Sequence, residues 1–366
     1  SGTVDLIEKE LYPNPKATRE QIMAAVNLIS SAESPTIVAG GGSVSSGASD
    51  QIRQLAELLQ IPVMTSPQAK GIIPEGSHLA TGVNSAVGPA KTVLPDTDLL
   101  IAIGTRLSLR GISPDDMPPI LQIDVEQGQI GKHYPVELGI LGDASETLIS
   151  LISALSVDES KLTGRRERAE RLKKQFADEV FKLASPQVSV IDKISNALPD
   201  DAIVVQGMTN IGYWSSAALP MDRTRNYVTS SYFGTLGYAF PTALGCQTAF
   251  PERKVVALCG DGGFMYSPQE LSTAMRYGLN TVAVVFNNGA FGASRWDQQH
   301  QFNGRYIGTD LFNPDFVAMA KSFGAEGIKT DADNIDQGLA EALELDKPTL
   351  LEVEIPNMMP PFQIVE

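Results

Sequence analysis

The chain has 366 residues, enough for two domains of ordinary size, and its 43% hydrophobic and 19% charged composition fits a soluble α/β protein with real cores. Its net charge of −15, with no contiguous basic stretch, argues against nucleic acid as a partner, because nothing offers the counterion release that binding a phosphate backbone requires. The two cysteines, Cys246 and Cys259, form no C-x-x-C pair and no disulfide framework, so a reducing, cytoplasmic compartment is expected. No apolar run of about 18 residues is present, so no membrane span is expected. The chain begins Ser1-Gly2 rather than with Met and shows no signal-peptide pattern, a start read as processed or recombinant.

Residues 1–16 are polar, carry Pro13 and Pro15, and read as a linker. From 17 to 156 apolar runs alternate with helical patterns. Thr36–Ala39, Ile61–Thr65, Asp98–Gly104 and Pro119–Asp124 predict strands, and Ser49–Leu59 predicts a helix. Short apolar strands between helices are what a parallel sheet covered on both faces needs. Residues 157–186 change character: Glu159–Lys182 is rich in Lys, Arg and Glu, and predicts a solvent-exposed connecting helix. Strand–helix alternation resumes over 187–366, with strands at Ala202–Gln206, Lys254–Cys259, Thr281–Phe286 and Thr349–Glu354. The expected fold class is α/β, with two doubly wound parallel-sheet domains joined by a charged helical linker.

The chemistry concentrates in the second of these domains. Strand 254–259 runs into Gly260-Asp261-Gly262-Gly263, and strand 281–286 runs into Asn287-Asn288-Gly289. Between them a helix is expected to open at Ser267-Pro268-Gln269-Glu270, with Ser267 as its cap and Glu270 completing a capping box. In open α/β sheets ligands bind beyond the carboxyl ends of the strands, where Asp261 and Asn288 fall. Glycines at 260, 262 and 263 let backbone N–H groups approach phosphate oxygens. A carboxylate and an amide oxygen are the hard ligands that Mg²⁺ shares with phosphates. Gly-Asp-Gly alone is usually only a turn, and so is Asn-Asn-Gly. The pair, 27 residues apart and each at a strand end, is far more specific.

This pair resembles the signature of the thiamine diphosphate enzymes, in the branch that contains acetolactate synthase, pyruvate decarboxylase and benzoylformate decarboxylase. The resemblance implies Asp261, Asn288 and the main-chain carbonyl of Ala290 as Mg²⁺ ligands. Gly260, Gly262, Gly263, Asn288 and Phe291 would then lie against the cofactor. Gly234-Thr-Leu236-Gly-Tyr-Ala-Phe-Pro241 is similar to the family segment that props thiamine diphosphate in its bent shape. In that reading Leu236 wedges between the two rings and Gly234 offers its carbonyl to the aminopyrimidine. The alternative is a loop entering a buried helix, with Leu236 in the core. In the first domain Gly40-Gly41-Gly42, Gln68-Ala-Lys70-Gly71, Gly104-Thr-Arg106, Asp124 and Asp143 are similar to the acetolactate synthase segments that hold FAD. The alternative there is a plain strand-to-helix turn with Arg106 on the surface.

The family also needs a glutamate to protonate the aminopyrimidine, supplied by an N-terminal pyrimidine-binding domain. No glutamate here has that context, so the expectation is a chain that begins after that domain, has no catalytic residue of its own for this step, and is inactive alone. Trp296, in a polar loop with Arg295, Gln298 and His300, stands one residue short of a substrate-side Trp in acetolactate synthases. His78 and His133 carry no signal, and Cys259 reads as a small strand residue. The implied activity is decarboxylation of a small-molecule 2-oxo acid followed by carboligation, with simple decarboxylation as the alternative. A cofactor-binding module without catalysis is the competing class. The resemblance further implies a homodimer or homotetramer, with active sites between subunits.

Overall fold

In the computed structural model of the chain, residues 14–230 and 233–361 are described. The linker expected over 1–16 lies outside the described residues as far as residue 13. The first sheet comprises β1 (Pro35–Ala39), β2 (Val63–Thr65), β3 (Ala80–Val83), β4 (Leu99–Ile103), β5 (Ile120–Asp124) and β6 (Leu138–Leu141). The second comprises β7 (Ile203–Gln206), β8 (Tyr227–Thr229), β9 (Val255–Gly260), β10 (Val282–Asn287), β11 (Glu326–Asp331) and β12 (Thr349–Glu354). Every strand pair is parallel, in the orders β3-β2-β1-β4-β5-β6 and β11-β12-β10-β9-β7-β8. Helices cover both faces, so the fold is α/β with two doubly wound domains. β3, β6, β8 and β11 carry short or polar-interrupted patterns, as in Glu326-Gly-Ile-Lys-Thr-Asp331, and were not among the expected strands.

Burial on both faces explains the continuous apolar runs. In β9, Val256 and Leu258 enter one core cluster while Val255, Ala257 and Cys259 enter the other. In β1, Ile37 and Ala39 face one cluster and Val38 the opposite one. Each fully buried aliphatic side chain contributes about 1.5–3 kcal/mol relative to exposure.

The connecting helix differs from its expectation in length and in burial. It runs Glu159–Ala197, with a break in helical geometry at Ala184 (φ −142°, ψ 40°) two residues before Pro186, whose ring cannot continue a regular helix. It is not solvent-exposed throughout. Ala169, Leu172, Phe176 and Val180 recur at helical spacing and are buried, so the sparse apolar positions form a narrow stripe. Arg165 and Arg168 are 5% and 8% exposed. Arg165 donates to the carbonyls of Ala32, Glu33 and Leu59, and Arg168 to Pro35 and to the hydroxyls of Thr36 and Thr97. These guanidinium groups satisfy carbonyls at the ends of two helices and the start of β1 in the first domain, which is why a charged sequence lies against a core. Among the described residues no helix is long and apolar enough to cross a membrane.

A buried ion pair within the first domain is hydrogen-bonded to the second. Lys70 Nζ contacts both Glu75 carboxylate oxygens, at 2.7 and 2.8 Å, and the carbonyl of Ser216 in the second domain at 3.2 Å. Glu75 in turn accepts from the Met221 N–H. Removing one partner of such a pair would strand the other in the interior.

Candidate functional site

Strand order reverses in the second sheet between β7 and β9, because β8 lies on one side of β7 and β9 on the other. A crevice opens at such a switch point beyond the strand ends. The tip of β9 supplies Gly260–Gly263, and the adjacent tip of β10 supplies Asn287–Ala290. The tip of β7 supplies Gly207-Met208-Thr209, which the sequence reading missed; Thr209 stands 3.2 Å from where a Cβ on Gly260 would lie. The signal available was a strand ending in Gly, the same signal used at β9.

Asp261 is 2% exposed. Its Oδ1 accepts from the Gly262 N–H at 2.9 Å, and its Oδ2 from the Gly289 N–H at 2.9 Å and from Asn313 Nδ2 at 2.7 Å. Burial pushes its carboxyl above the ordinary carboxylate value, against the lowering by these donors. A buried carboxylate in this state gains most from a cation placed beside it. Asn288 Oδ1 accepts from the Ala290 N–H at 3.2 Å, while its Nδ2 donates to Asn357 Oδ1 at 3.3 Å, which fixes the amide orientation. The Ala290 backbone is held by bonds flanking it, Phe291 N–H to Thr309 O and Leu311 N–H to Gly289 O, both 2.9 Å. Among the described residues no group of three or more His, Cys, Asp or Glu gathers as a metal site. Asp261 brings a carboxylate to a turn whose neighbouring oxygens are the Asn288 amide and backbone carbonyls.

Gly262 has a packing reason for lacking a side chain. A Cβ there would fall 2.6 Å from the Phe291 ring and 2.9 Å from Leu311, so Phe291 supports the turn from beneath. Gly263 instead faces Leu236, whose Cδ2 would lie 3.7 Å from its Cβ. Leu236 is half-buried at the lip of the crevice, outside the core, and Gly234 (φ +57°) is exposed beside Met208. The metal-type motif and the Gly234–Leu236 segment therefore meet in space.

Two expectations are corrected nearby. Ser267 does not cap the following helix; its hydroxyl donates to the Gly237 carbonyl at 3.4 Å, and the helix Glu270–Tyr277 starts after Gln269 without a side-chain cap. The intervening residues fold back on the Gly237 turn, which takes that hydroxyl first. Trp296 and His300 lie on a helix, Gly292–His300, rather than on a loop, with their rings stacked at 4.3 Å. Cys259 is buried in the core and its thiol is pushed up to about 12 by desolvation, which keeps it protonated.

In the first sheet the order reverses between β1 and β4. Gly40–Gly42 and Gly104 meet there so closely that a Cβ on Gly40 would stand 2.3 Å from the Gly104 carbonyl, and Gly42 N–H donates to that same oxygen at 2.9 Å. A cleft of about 1130 Å³ extends from this point to the second domain. Gly41, Gly42, Gln68, Arg106 and Asp124 line one side, and Met208, Arg225, Phe233 and Gly234 line the other. Asp143 is not brought there: it caps the helix Ala144–Ala154, accepting from Glu146 N–H, and also accepts from Asn14. Helix capping explains an Asp at that position without a ligand.

Two doubly wound domains, one with a buried carboxylate amid oxygen donors at its switch point, define a class of protein that holds a ligand across strand ends. Residues 22–151 match the family model "Thiamine pyrophosphate enzyme, central domain", and residues 207–353 match "Thiamine pyrophosphate enzyme, C-terminal TPP binding domain". The chain belongs to the thiamine pyrophosphate (thiamine diphosphate) enzymes, of which it carries the central and C-terminal domains. It is 31% identical over 361 residues to a putative thiamine pyrophosphate-containing protein, YdaP, of Bacillus subtilis, covering 97% of this chain and 62% of that protein. It is 33% identical to a probable acetolactate synthase large subunit of Methanococcus aeolicus, covering 93% of this chain and 62% of the relative. A probable 2-ketoarginine decarboxylase, AruI, of Pseudomonas aeruginosa is 29% identical, covering 91% of this chain and 60% of the relative. The chain thus spans about three fifths of the length of these relatives.

Proposed function

We propose that this chain holds thiamine diphosphate by its diphosphate through Mg²⁺, and that the full-length protein is a 2-oxo acid decarboxylase and carboligase of the acetolactate synthase type. The observation that carries the reading is the meeting of Asp261, Asn288, Ala290, Gly263 and Leu236 at one switch point. The donor set fits the cation: the Asp261 carboxylate, the Asn288 amide oxygen and the Ala290 carbonyl are hard oxygens, as Mg²⁺ requires, with a single charge that leaves room for phosphate. Gly260 and Gly263 keep backbone close to the diphosphate, and Gly234 and Leu236 support the rings. When bound, thiamine diphosphate supplies the carbon nucleophile and the electron sink for loss of CO₂. The chain's part is to bind, orient and exclude water. Simple decarboxylation is the second reading, favoured by the Gly234–Pro241 segment. Calorimetry on the full-length protein tests the proposal: thiamine diphosphate should bind with Mg²⁺ present and give no heat in EDTA, and equal binding in both would remove the cation from the site.

The same reading gives the interdomain cleft to FAD, with Gly40–Gly42, Arg106 and Asp124 against the nucleotide. In support stand the cleft's volume and its two arginines, Arg106 and Arg225. The purified full-length protein should be yellow, or turn yellow on incubation with FAD and desalting; a protein that stays colourless takes no flavin. We further infer at least a homodimer, since Phe233, Tyr266 and Phe312 around the site are 88%, 62% and 103% exposed.

A further inference from the structure

Behind Asp261 lies a chain of side chains that no motif announces. Glu352, on β12, is 4% exposed and its Oε1 accepts from Asn287 Nδ2 at 2.8 Å. Asn287 Oδ1 accepts from Asn313 Nδ2 at 2.9 Å and from the Gly289 N–H at 3.2 Å. Asn313 Nδ2 donates its second proton to Asp261 Oδ2 at 2.7 Å. The series therefore runs acid, amide, amide, acid. A carboxylate offers only acceptors, so each end demands an N–H from its neighbour. Glu352 turns the Asn287 amine toward itself, which leaves the Asn287 oxygen facing Asn313. That oxygen and Asp261 together turn the Asn313 amine inward. Only one orientation of both amides satisfies every member.

We infer that Asn313 is a positioning residue for the cation site, and that Asn287 and Glu352 set its orientation; the inference rests on Asp261 being a ligand. Asp261 Oδ2 has two lone pairs, and the Gly289 N–H and Asn313 occupy both. Oδ1 accepts from the Gly262 N–H at 2.9 Å and is the less engaged of the two oxygens, with the Ala290 N–H also bearing on the carboxyl. The arrangement presents Asp261 as a one-oxygen ligand. That suits Mg²⁺, which demands near-octahedral geometry with short bonds, and disfavours Ca²⁺, which accepts both oxygens of a carboxylate in a looser shell. The network thus selects the smaller cation as well as orienting the carboxylate.

The test measures cation binding rather than turnover. Mg²⁺ and Ca²⁺ are titrated calorimetrically into the full-length protein with saturating thiamine diphosphate, for the wild type and for Asn313→Ala, Glu352→Gln and Asp261→Ala. Loss of an outer-shell partner typically costs about 10–100-fold in metal affinity. Asn313→Ala should weaken Mg²⁺ by about that factor and lower the Mg²⁺-to-Ca²⁺ affinity ratio, because Oδ2 is released. A Gln at 352 can donate as well as accept, so Asn287 is free to turn over, and Glu352→Gln should shift the ratio the same way by less. A role in folding alone would lower thermal stability and leave the ratio where it was. Should Asn313→Ala fail to fold, Glu352→Gln decides by the same ratio. An unchanged ratio in the folded variants, with Asp261→Ala having lost the cation, overturns the positioning role alone. Unchanged binding by Asp261→Ala overturns the ligand assignment, and this inference with it.

Discussion

Replacing Asp261 with Ala should lower the affinity of the full-length protein for thiamine diphosphate in Mg²⁺ by more than about a hundredfold, since even outer-shell changes at metal sites reach that figure. Asp261 brings the only charge among the three proposed oxygen donors, and a charge-assisted contact is roughly twice as strong as a neutral one. Bonds from Gly262, Gly289 and Asn313 offset only part of its desolvation and already hold it in place. A cation therefore meets an oriented carboxylate rather than one that must be stripped of water. The variant also takes an acceptor from the Gly262 N–H and leaves the Gly289 N–H and the Asn313 amine with Asn287 Oδ1 alone, so thermal stability should be recorded beside the calorimetric titration. A folded variant that binds the cofactor as tightly as the wild type would refute the ligand role. Without Mg²⁺ the two proteins should differ little, which separates loss of the cation from loss of the crevice.

The second large effect is an absence of turnover. These 366 residues by themselves should consume neither pyruvate nor benzoylformate with thiamine diphosphate and Mg²⁺ saturating. The proposal assigns them the diphosphate and cation groups, and the support of Leu236 beneath the rings. It assigns them no acid for the aminopyrimidine. General acid–base assistance is typically worth about 10² to 10⁴ in rate, and loss of the facing wall costs orientation as well. Phe233, at the rim of the cleft, is 88% exposed. The assay follows 2-oxo acid consumption, then repeats it with the pyrimidine-binding domain restored. Robust turnover by the 366 residues would place the catalytic acid within them.

The amino-acid sequence by itself determined much of the local structure. Apolar runs ending in Gly or Asn marked β1, β4, β9 and β10, and the helix Ser49–Leu59 falls where its 3.6-residue pattern put it. Asp261 and Asn288 were legible because turn chemistry and strand ends are properties of neighbouring residues. Tertiary structure decided what neighbours could not. Strand order put the β7 tip, with Thr209, beside Gly260, and the segment leading into the helix Phe316–Ser322 brought Asn313 from 52 residues away onto Asp261. It drew Ser267 to Gly237 instead of its own helix, gave Asp143 to a helix cap away from the cleft, and set the stripe from Ala169 to Val180 against a core. The physical reason is one of range. Periodicity and turn preference act over a few residues, whereas a hydrogen-bond partner across a sheet depends on which strands lie side by side, and parallel order is fixed by crossovers whose destination no local pattern encodes.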